Sequence, residues 1–170
     1  MEIIARWFNT HRAKYVLSRL MNRLEEIVRL IPQGMWKGHA ELLLRAGSVA
    51  YKAERFSFGM VCYQLVLDVT SNNKFEDHET RLIAYTGNVE CGIRKMFNDI
   101  SHYSKVDDFG YKHVCFQHSF VWESLASVSS TVCEDLKPRL IHAKNLMYLY
   151  ETKKEALILK LPRTVTHPFL

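Results

Sequence analysis

Glycine and proline are scarce in this chain of 170 residues, which contains only seven glycines and four prolines. No stretch shows the alternation of polar and apolar residues between turn signals that a half-buried strand needs. Apolar residues recur instead at the helical spacing of three and four. The sequence therefore predicts an all-α protein with five to seven helices.

The sequence motifs of the common catalytic and nucleotide-binding sites are also missing. There is no P-loop, no G-x-G-x-x-G after a strand, no G-x-S-x-G elbow and no H-E-x-x-H. The few glycines are dispersed, whereas a backbone that cradles phosphate needs them clustered. We therefore expect a protein that is not an enzyme and that uses no cofactor.

Cysteine is sparse as well, and no two cysteines form a C-x-x-C pair. The four cysteines are Cys62, Cys91, Cys115 and Cys133. They are expected to be buried free thiols of a protein in a reducing compartment. The best candidate metal ligands are His113, Cys115 and His118, with Cys133 further on. His113 and Cys115 would point to different faces of a helix, so no metal site is predicted.

The composition is that of an ordinary globular protein, with 48% hydrophobic and 24% charged residues. A single helical domain is expected over residues 1–160, followed by an extended tail at 161–170 that contains Pro162 and Pro168. No signal peptide is visible, and no apolar run reaches the roughly 20 residues that span a bilayer. An intracellular protein, cytoplasmic or nuclear, is therefore expected.

The most informative stretch is 40–73, where two helical runs flank a polar break at Glu54 and Arg55. It resembles one unit of the tetratricopeptide repeat, a helical hairpin of about 34 residues. Gly47 stands at the small position midway along the first helix of such a unit. Gly59 and Tyr63 stand at the small and aromatic positions of the second helix. The stretch departs from the family pattern at several positions, namely Leu43, Ala46, Ala50 and Ser71.

The flanking segments complete a predicted array of stacked hairpins. The run 12–31 is a helix ending at Pro32, interpreted as a capping helix, with Asn9 or Thr10 as a possible N-cap. Residues 76–103 resemble a degenerate second unit, in which Gly87 and Tyr103 repeat the roles of Gly47 and Tyr63. The remaining expectations are a loop at 105–111, a helix over 113–133 with a break near 127–132, and a last helix that starts at 137–138 and ends before Pro162.

The resemblance implies an adaptor or scaffold that binds a protein or peptide along the first helices of its units. The partner-binding residues expected from it are Leu44, Arg45, Ser48, Tyr51, Lys52, Ala84 and Asn88. Arg45, Ser48 and Lys52 share one side of a helix, and the two cations favour an acidic peptide. With so few units, self-association or docking onto a larger assembly is also plausible.

Basic residues near the N-terminus support an alternative interpretation. The formal net charge is +5 and the pI is about 9.0. The residues of this alternative basic face are Arg12, Arg19, Arg23 and Arg29. Such a helix could bind phosphates of a nucleic acid, as a small viral or regulatory factor would, or lie on an acidic membrane surface. Glu25 and Glu26 interrupt the run.

Overall fold

The computed structural model describes residues 2–128 and 130–160, and the tail predicted at 161–170 lies outside these ranges. Within them the chain forms six α-helices, in agreement with the all-α prediction. The helices are α1 (Glu2–Leu30), α2 (Ala40–Lys52), α3 (Phe56–Val69), α4 (Phe75–His102), α5 (Asp108–Ser124) and α6 (Ser130–Lys160). Two short 3-10 helices lie at Gln33–Trp36 and Leu125–Ser127.

The first helix begins earlier than expected, because α1 runs without interruption from Glu2. The expected N-cap at Asn9 or Thr10 is wrong, and the Thr10 hydroxyl donates back to the Arg6 carbonyl at 2.8 Å. Such a bond within one helix leaves the helical backbone intact. Glu25 and Arg29 form an ion pair one helical turn apart, with 2.7 Å between their charged groups.

The helices α2 and α3 form the hairpin that the sequence predicted at 40–73. The chain reverses at Glu54, whose φ of 59° lies in the left-handed region. Gly59 of α3 approaches α2, since a Cβ atom built there would lie 3.5 Å from the Gly47 carbonyl oxygen. Its tightest neighbour is in α4, where the Cys91 sulfur would be 2.7 Å away. The close approach therefore joins three helices.

The degenerate second unit predicted at 76–103 does not form a helical hairpin, because this stretch belongs almost entirely to the single 28-residue helix α4. Gly92 lies inside this helix. Tyr103 does not repeat the role of Tyr63, since it is 77% exposed whereas Tyr63 is buried. A lone glycine costs a helix only about 1 kcal/mol, which packing on three sides outweighs.

The C-terminal half also differs from expectation at two helix starts. The helix α5 begins at Asp108, within the predicted loop, because the Asp107 carboxylate accepts a hydrogen bond from the Gly110 backbone N–H at 2.8 Å. The helix α6 begins at Ser130 and contains Pro138, so the start predicted at 137–138 is wrong. The break expected near 127–132 is confirmed by the 3-10 helix before α6.

The central element of the fold is α4, which contributes to each of the three hydrophobic clusters among the described residues. Its Ala84 and Cys91 belong to the cluster shared with α1, α2 and α3. Its Val89 and Ile93 belong to a second cluster with α5 and α6, and Leu82 to a third. Because α4 is covered from several directions, even Thr86 and Asn88 on it are buried.

Candidate partner-binding groove

Five of the seven predicted partner-binding residues line one cavity of about 420 Å³. We call this cavity the α2 groove. Its α2 side consists of Glu41, Leu44, Arg45, Ser48, Tyr51 and Lys52. Its other lining residues are Tyr63 of α3, Ile83 and Glu90 of α4, and Arg139 of α6. The helical spacing along α2 places its residues together, as the sequence indicated.

The rim of the α2 groove is charged and open to water. Arg45 donates to the Glu41 carboxylate at 2.8 Å, and both side chains are more than three-quarters exposed. An exposed pair of this kind contributes little to stability, about 0.3–0.5 kcal/mol. Lys52 is exposed and makes no ion pair with any residue in the described ranges. The two cations on the rim are therefore accessible to an anionic ligand.

An ion pair between α4 and α6 forms the inner wall of the α2 groove. The Arg139 guanidinium donates to the Glu90 carboxylate through both Nε, at 2.9 Å, and a terminal nitrogen. Glu90 is 9% exposed. Burial lowers the pKa of Arg139, but the hydrogen bond and the charge of Glu90 outweigh it and raise that pKa overall. Arg139 therefore stays charged beside the cavity.

Two tyrosines complete the wall next to this ion pair. Burial and the charge of Glu90 raise the pKa of Tyr51. Burial also raises the pKa of Tyr63, whose hydroxyl lies near the Arg139 guanidinium. Both phenols are therefore neutral at pH 7 and offer a hydroxyl as donor or acceptor. The groove thus combines aromatic surface with hydrogen-bonding groups, an arrangement that suits a peptide.

The prediction that Ala84 and Asn88 share this surface is wrong. Ala84 is fully buried in the core. Asn88 lies in a different cavity of about 330 Å³, which is lined by residues of α3, α4 and α5. Its side-chain oxygen is buried and has no hydrogen-bond partner among the described residues. The prediction treated α4 as the first helix of a second repeat, whereas packing on several sides turns both residues away from the groove.

The sequence analysis missed five of the ten residues that line the groove, namely Glu41, Tyr63, Ile83, Glu90 and Arg139. Glu90 had a weak signal, since it is a lone carboxylate beside the apolar run of Cys91 and Ile93. Arg139 had none, because it is 49 residues further along the chain. Only the packing of α6 against α4 brings these two charges together.

One histidine and two cysteines are buried within the packed helices. The Nε2 of His118 donates to the Leu140 carbonyl at 3.0 Å, which ties α5 to α6. No group of three potential ligands that could hold a metal ion occurs among residues 2–128 and 130–160. Burial raises the pKa of both Cys62 and Cys91 to about 12, so these two free thiols stay protonated. Cys115 and Cys133 are free and only partly buried.

The four arginines of the alternative basic face do not all lie on the same side of α1. All four of its arginines are exposed on α1. Arg12, Arg19 and Arg23 are spaced by seven and four residues and share one side of the helix. Arg29 is turned roughly 120° away and pairs with Glu25. Three cations rather than four therefore remain together.

Comparison with protein-family models, with curated proteins and with solved structures finds no match to this chain. Among the helices of the described residues, none combines the length and the apolar character that crossing a bilayer requires. The structure confirms the prediction of an all-α protein with packed helices. The arrangement of these helices as repeats is still a hypothesis.

Proposed function

We propose that this protein is a non-enzymatic adaptor whose α2 groove binds an extended, acidic segment of a partner protein. The observation that carries the proposal is that Leu44, Arg45, Ser48, Tyr51 and Lys52 all line one cavity. Leu44, Tyr51, Tyr63 and Ile83 give the groove apolar and aromatic surface, and its charged and hydroxyl groups can bind a peptide backbone and its side chains.

The charge of the groove supports an acidic ligand. Three cations against two carboxylates leave one net positive charge among its lining residues. Arg45 can exchange the exposed Glu41 carboxylate for a ligand carboxylate at little cost. Lys52 makes no ion pair with the described residues that a ligand would have to displace. Such complementarity acts mainly on the association rate and on specificity.

The experiment is a selection of random peptides displayed on phage, with the purified protein as bait. We expect the selected peptides to be enriched in Asp and Glu. Their affinity for the double variant Arg45→Glu with Lys52→Glu should fall by about tenfold or more, because two attractive charges become repulsive. Thermal stability should change little, since both side chains are exposed.

The matched control reverses two exposed cations outside the groove, with Lys105→Glu and Lys112→Glu. It changes the net charge equally, so a general charge effect would weaken binding in both variants. Selection of peptides without acidic residues, or equal binding by the groove variant, would refute the proposal.

Nucleic-acid binding through Arg12, Arg19 and Arg23 is the alternative, favoured by their exposure on one side of α1. The two functions differ in their salt dependence. Three phosphate contacts predict an affinity that falls with salt with a logarithmic slope of roughly −2 to −3. Affinity for single-stranded RNA that shows this slope and disappears in Arg12→Glu with Arg19→Glu would support the alternative.

A further inference from the structure

The helix α1 has two apolar faces, each with the alternating spacing of four and three residues that is typical of a helix-packing seam. The inner seam consists of Leu17, Met21, Leu24 and Val28, followed by Ile31 directly after the helix, and these residues pack on the core. The outer seam consists of Val16, Leu20, Arg23, Ile27 and Leu30. It is shifted by one residue and therefore lies next to the inner seam, roughly 100° around the helix.

The outer seam is uncovered by the described residues of this chain. Leu20 is 61% exposed and Leu30 is 75% exposed, and Val16 and Ile27 are each about half exposed. Four aliphatic side chains on one side of the helix form a strip, interrupted only by Arg23, rather than scattered surface residues. A helix with apolar residues on two neighbouring faces is typical of a position between two packed elements.

The charges beside the strip are mostly positive. Arg12 and Arg19 flank the outer seam on one side, with Glu26 after them at the same spacing of seven. Arg23 occupies the middle of the seam itself and is exposed, with Glu26 as its carboxylate neighbour at 4.0 Å. The strip and its flank therefore carry three cations and one carboxylate.

We infer that the outer seam binds an acidic amphipathic helix of a partner protein. Leucine or isoleucine side chains of that helix would pack between Val16, Leu20 and Ile27. A carboxylate facing Arg23 would form a charge-assisted, bidentate pair as the seam is covered. Further carboxylates on its flank would face Arg12 and Arg19.

The position of Arg23 disfavours a second copy of this chain as the occupant. Arg23 is the central residue of the five, so pairing two outer seams in parallel and in register places Arg23 against Arg23. Like charges facing each other in a desolvated seam are destabilising. An antiparallel pair can instead place Arg23 against Leu20 or Ile27 of the other copy, where the guanidinium loses water and gains no carboxylate.

A membrane or a nucleic acid fits the strip less well. Immersion of the strip in a bilayer would carry the Arg23 guanidinium toward the hydrocarbon together with its apolar neighbours, which is costly. The seam residues other than Arg23 are all aliphatic, and the exposed ring of Tyr15 on the flank already faces the Arg19 guanidinium at 5.9 Å. A partner helix satisfies both the apolar spacing and the central cation.

The test uses a designed 21-residue helical peptide as probe, with Leu and Ile at its seam positions and Glu opposite Arg23 and along one flank. Fluorescence anisotropy of the labelled peptide measures its affinity for the full chain. Leu20→Ser with Ile27→Ser should weaken binding by about tenfold or more, because two large apolar contacts are lost. The matched control, Leu149→Ser with Leu159→Ser, removes two exposed leucines of α6 and should not change the affinity.

A charge exchange makes the test independent of the apolar substitutions. Arg23→Glu should abolish binding of the Glu peptide, and a peptide with Lys opposite position 23 should bind this variant instead. Circular dichroism must show unchanged helix content in each variant. The inference is overturned if the Leu20→Ser, Ile27→Ser variant binds the probe as well as the unchanged protein does. It is also overturned if the unchanged protein and the control variant self-associate in sedimentation, bind phosphatidylserine vesicles or bind single-stranded RNA, and the Leu20→Ser, Ile27→Ser variant does not.

Discussion

The ring of Tyr63 lies so close to Gly47 that a Cβ atom built at position 47 would be 2.7 Å from the ring's Cζ atom. A Cβ atom at Gly87 of α4 would overlap the same ring. The absence of side chains at these two positions therefore leaves the space in which Tyr63 reaches the α2 groove from α3. The groove depends on this contact because Tyr63 forms part of its wall.

The substitution Gly47→Ala tests this contact, because helix propensity and packing predict opposite changes in the free energy of unfolding. Helix propensity alone predicts that the alanine stabilises α2 by about 1 kcal/mol. The contact with Tyr63 predicts instead a loss of about 1–3 kcal/mol in the free energy of unfolding, measured with urea. In a Tyr63→Leu background the same substitution should be much less harmful. Gly34→Ala serves as control, since no atom lies within 4 Å of its added Cβ.

Removal of the positive charge at position 139 should leave Glu90 without its partner. Because Glu90 is largely buried, Arg139→Gln is expected to lower the free energy of unfolding by about 1–3 kcal/mol. Adding Glu90→Gln should recover part of that loss, and the double-mutant cycle gives the coupling between the two residues. Additive losses in the two single variants would show that the pair contributes no coupling.

Asn88 is expected to be replaceable by leucine, which has a similar shape. Its side-chain oxygen is buried without a hydrogen-bond partner among the described residues, so the substitution removes the cost of desolvating that group. We expect Asn88→Leu to raise the melting temperature or leave it unchanged, while exposed Asn98→Leu should change stability by less than about 0.5 kcal/mol. A clear loss of stability in Asn88→Leu would mean that the amide is bonded, through water or a ligand.

The buried thiols predict a loss of stability at alkaline pH. The folded-state pKa of Cys62 and of Cys91 is about 12, above the ordinary value of 9.0. Between these values the unfolded chain releases the two thiol protons while the folded chain retains them. Stability should therefore fall as pH rises from 9 toward 12. Equilibrium unfolding across this range should show a shallower decline for Cys62→Ala with Cys91→Ala, and an equal slope would contradict the burial of these thiols.

Local features of the fold were predictable where a short segment decides them. The α2–α3 hairpin follows from the two apolar runs and the polar break at Glu54, all within 40–73. The spacing along α2 was likewise sufficient to place Arg45, Ser48 and Lys52 on one side of a helix. These relationships extend over one or two helical turns, and helix geometry determines them without knowledge of the rest of the chain.

Helix boundaries and the division of an apolar stripe required the tertiary structure. The helical period is compatible with one apolar face of α1 that contains Val16, Leu17, Leu20 and Leu24. Packing divides them, because Leu17 and Leu24 contact the core whereas Val16 and Leu20 stay exposed. When two apolar seams are offset by one residue, the sequence periodicity does not show which of them faces the core.

By itself, the sequence determined the all-α class, the α2–α3 hairpin and the α2 side of the candidate groove, because each depends on residues close together in the chain. The tertiary structure alone decided that α4 is one buried helix, which places Ala84 in the core and Asn88 in another cavity. It also brought Arg139 of α6 to Glu90 across 49 residues. Contacts at that separation depend on how whole helices pack, and no local pattern of residues specifies that packing.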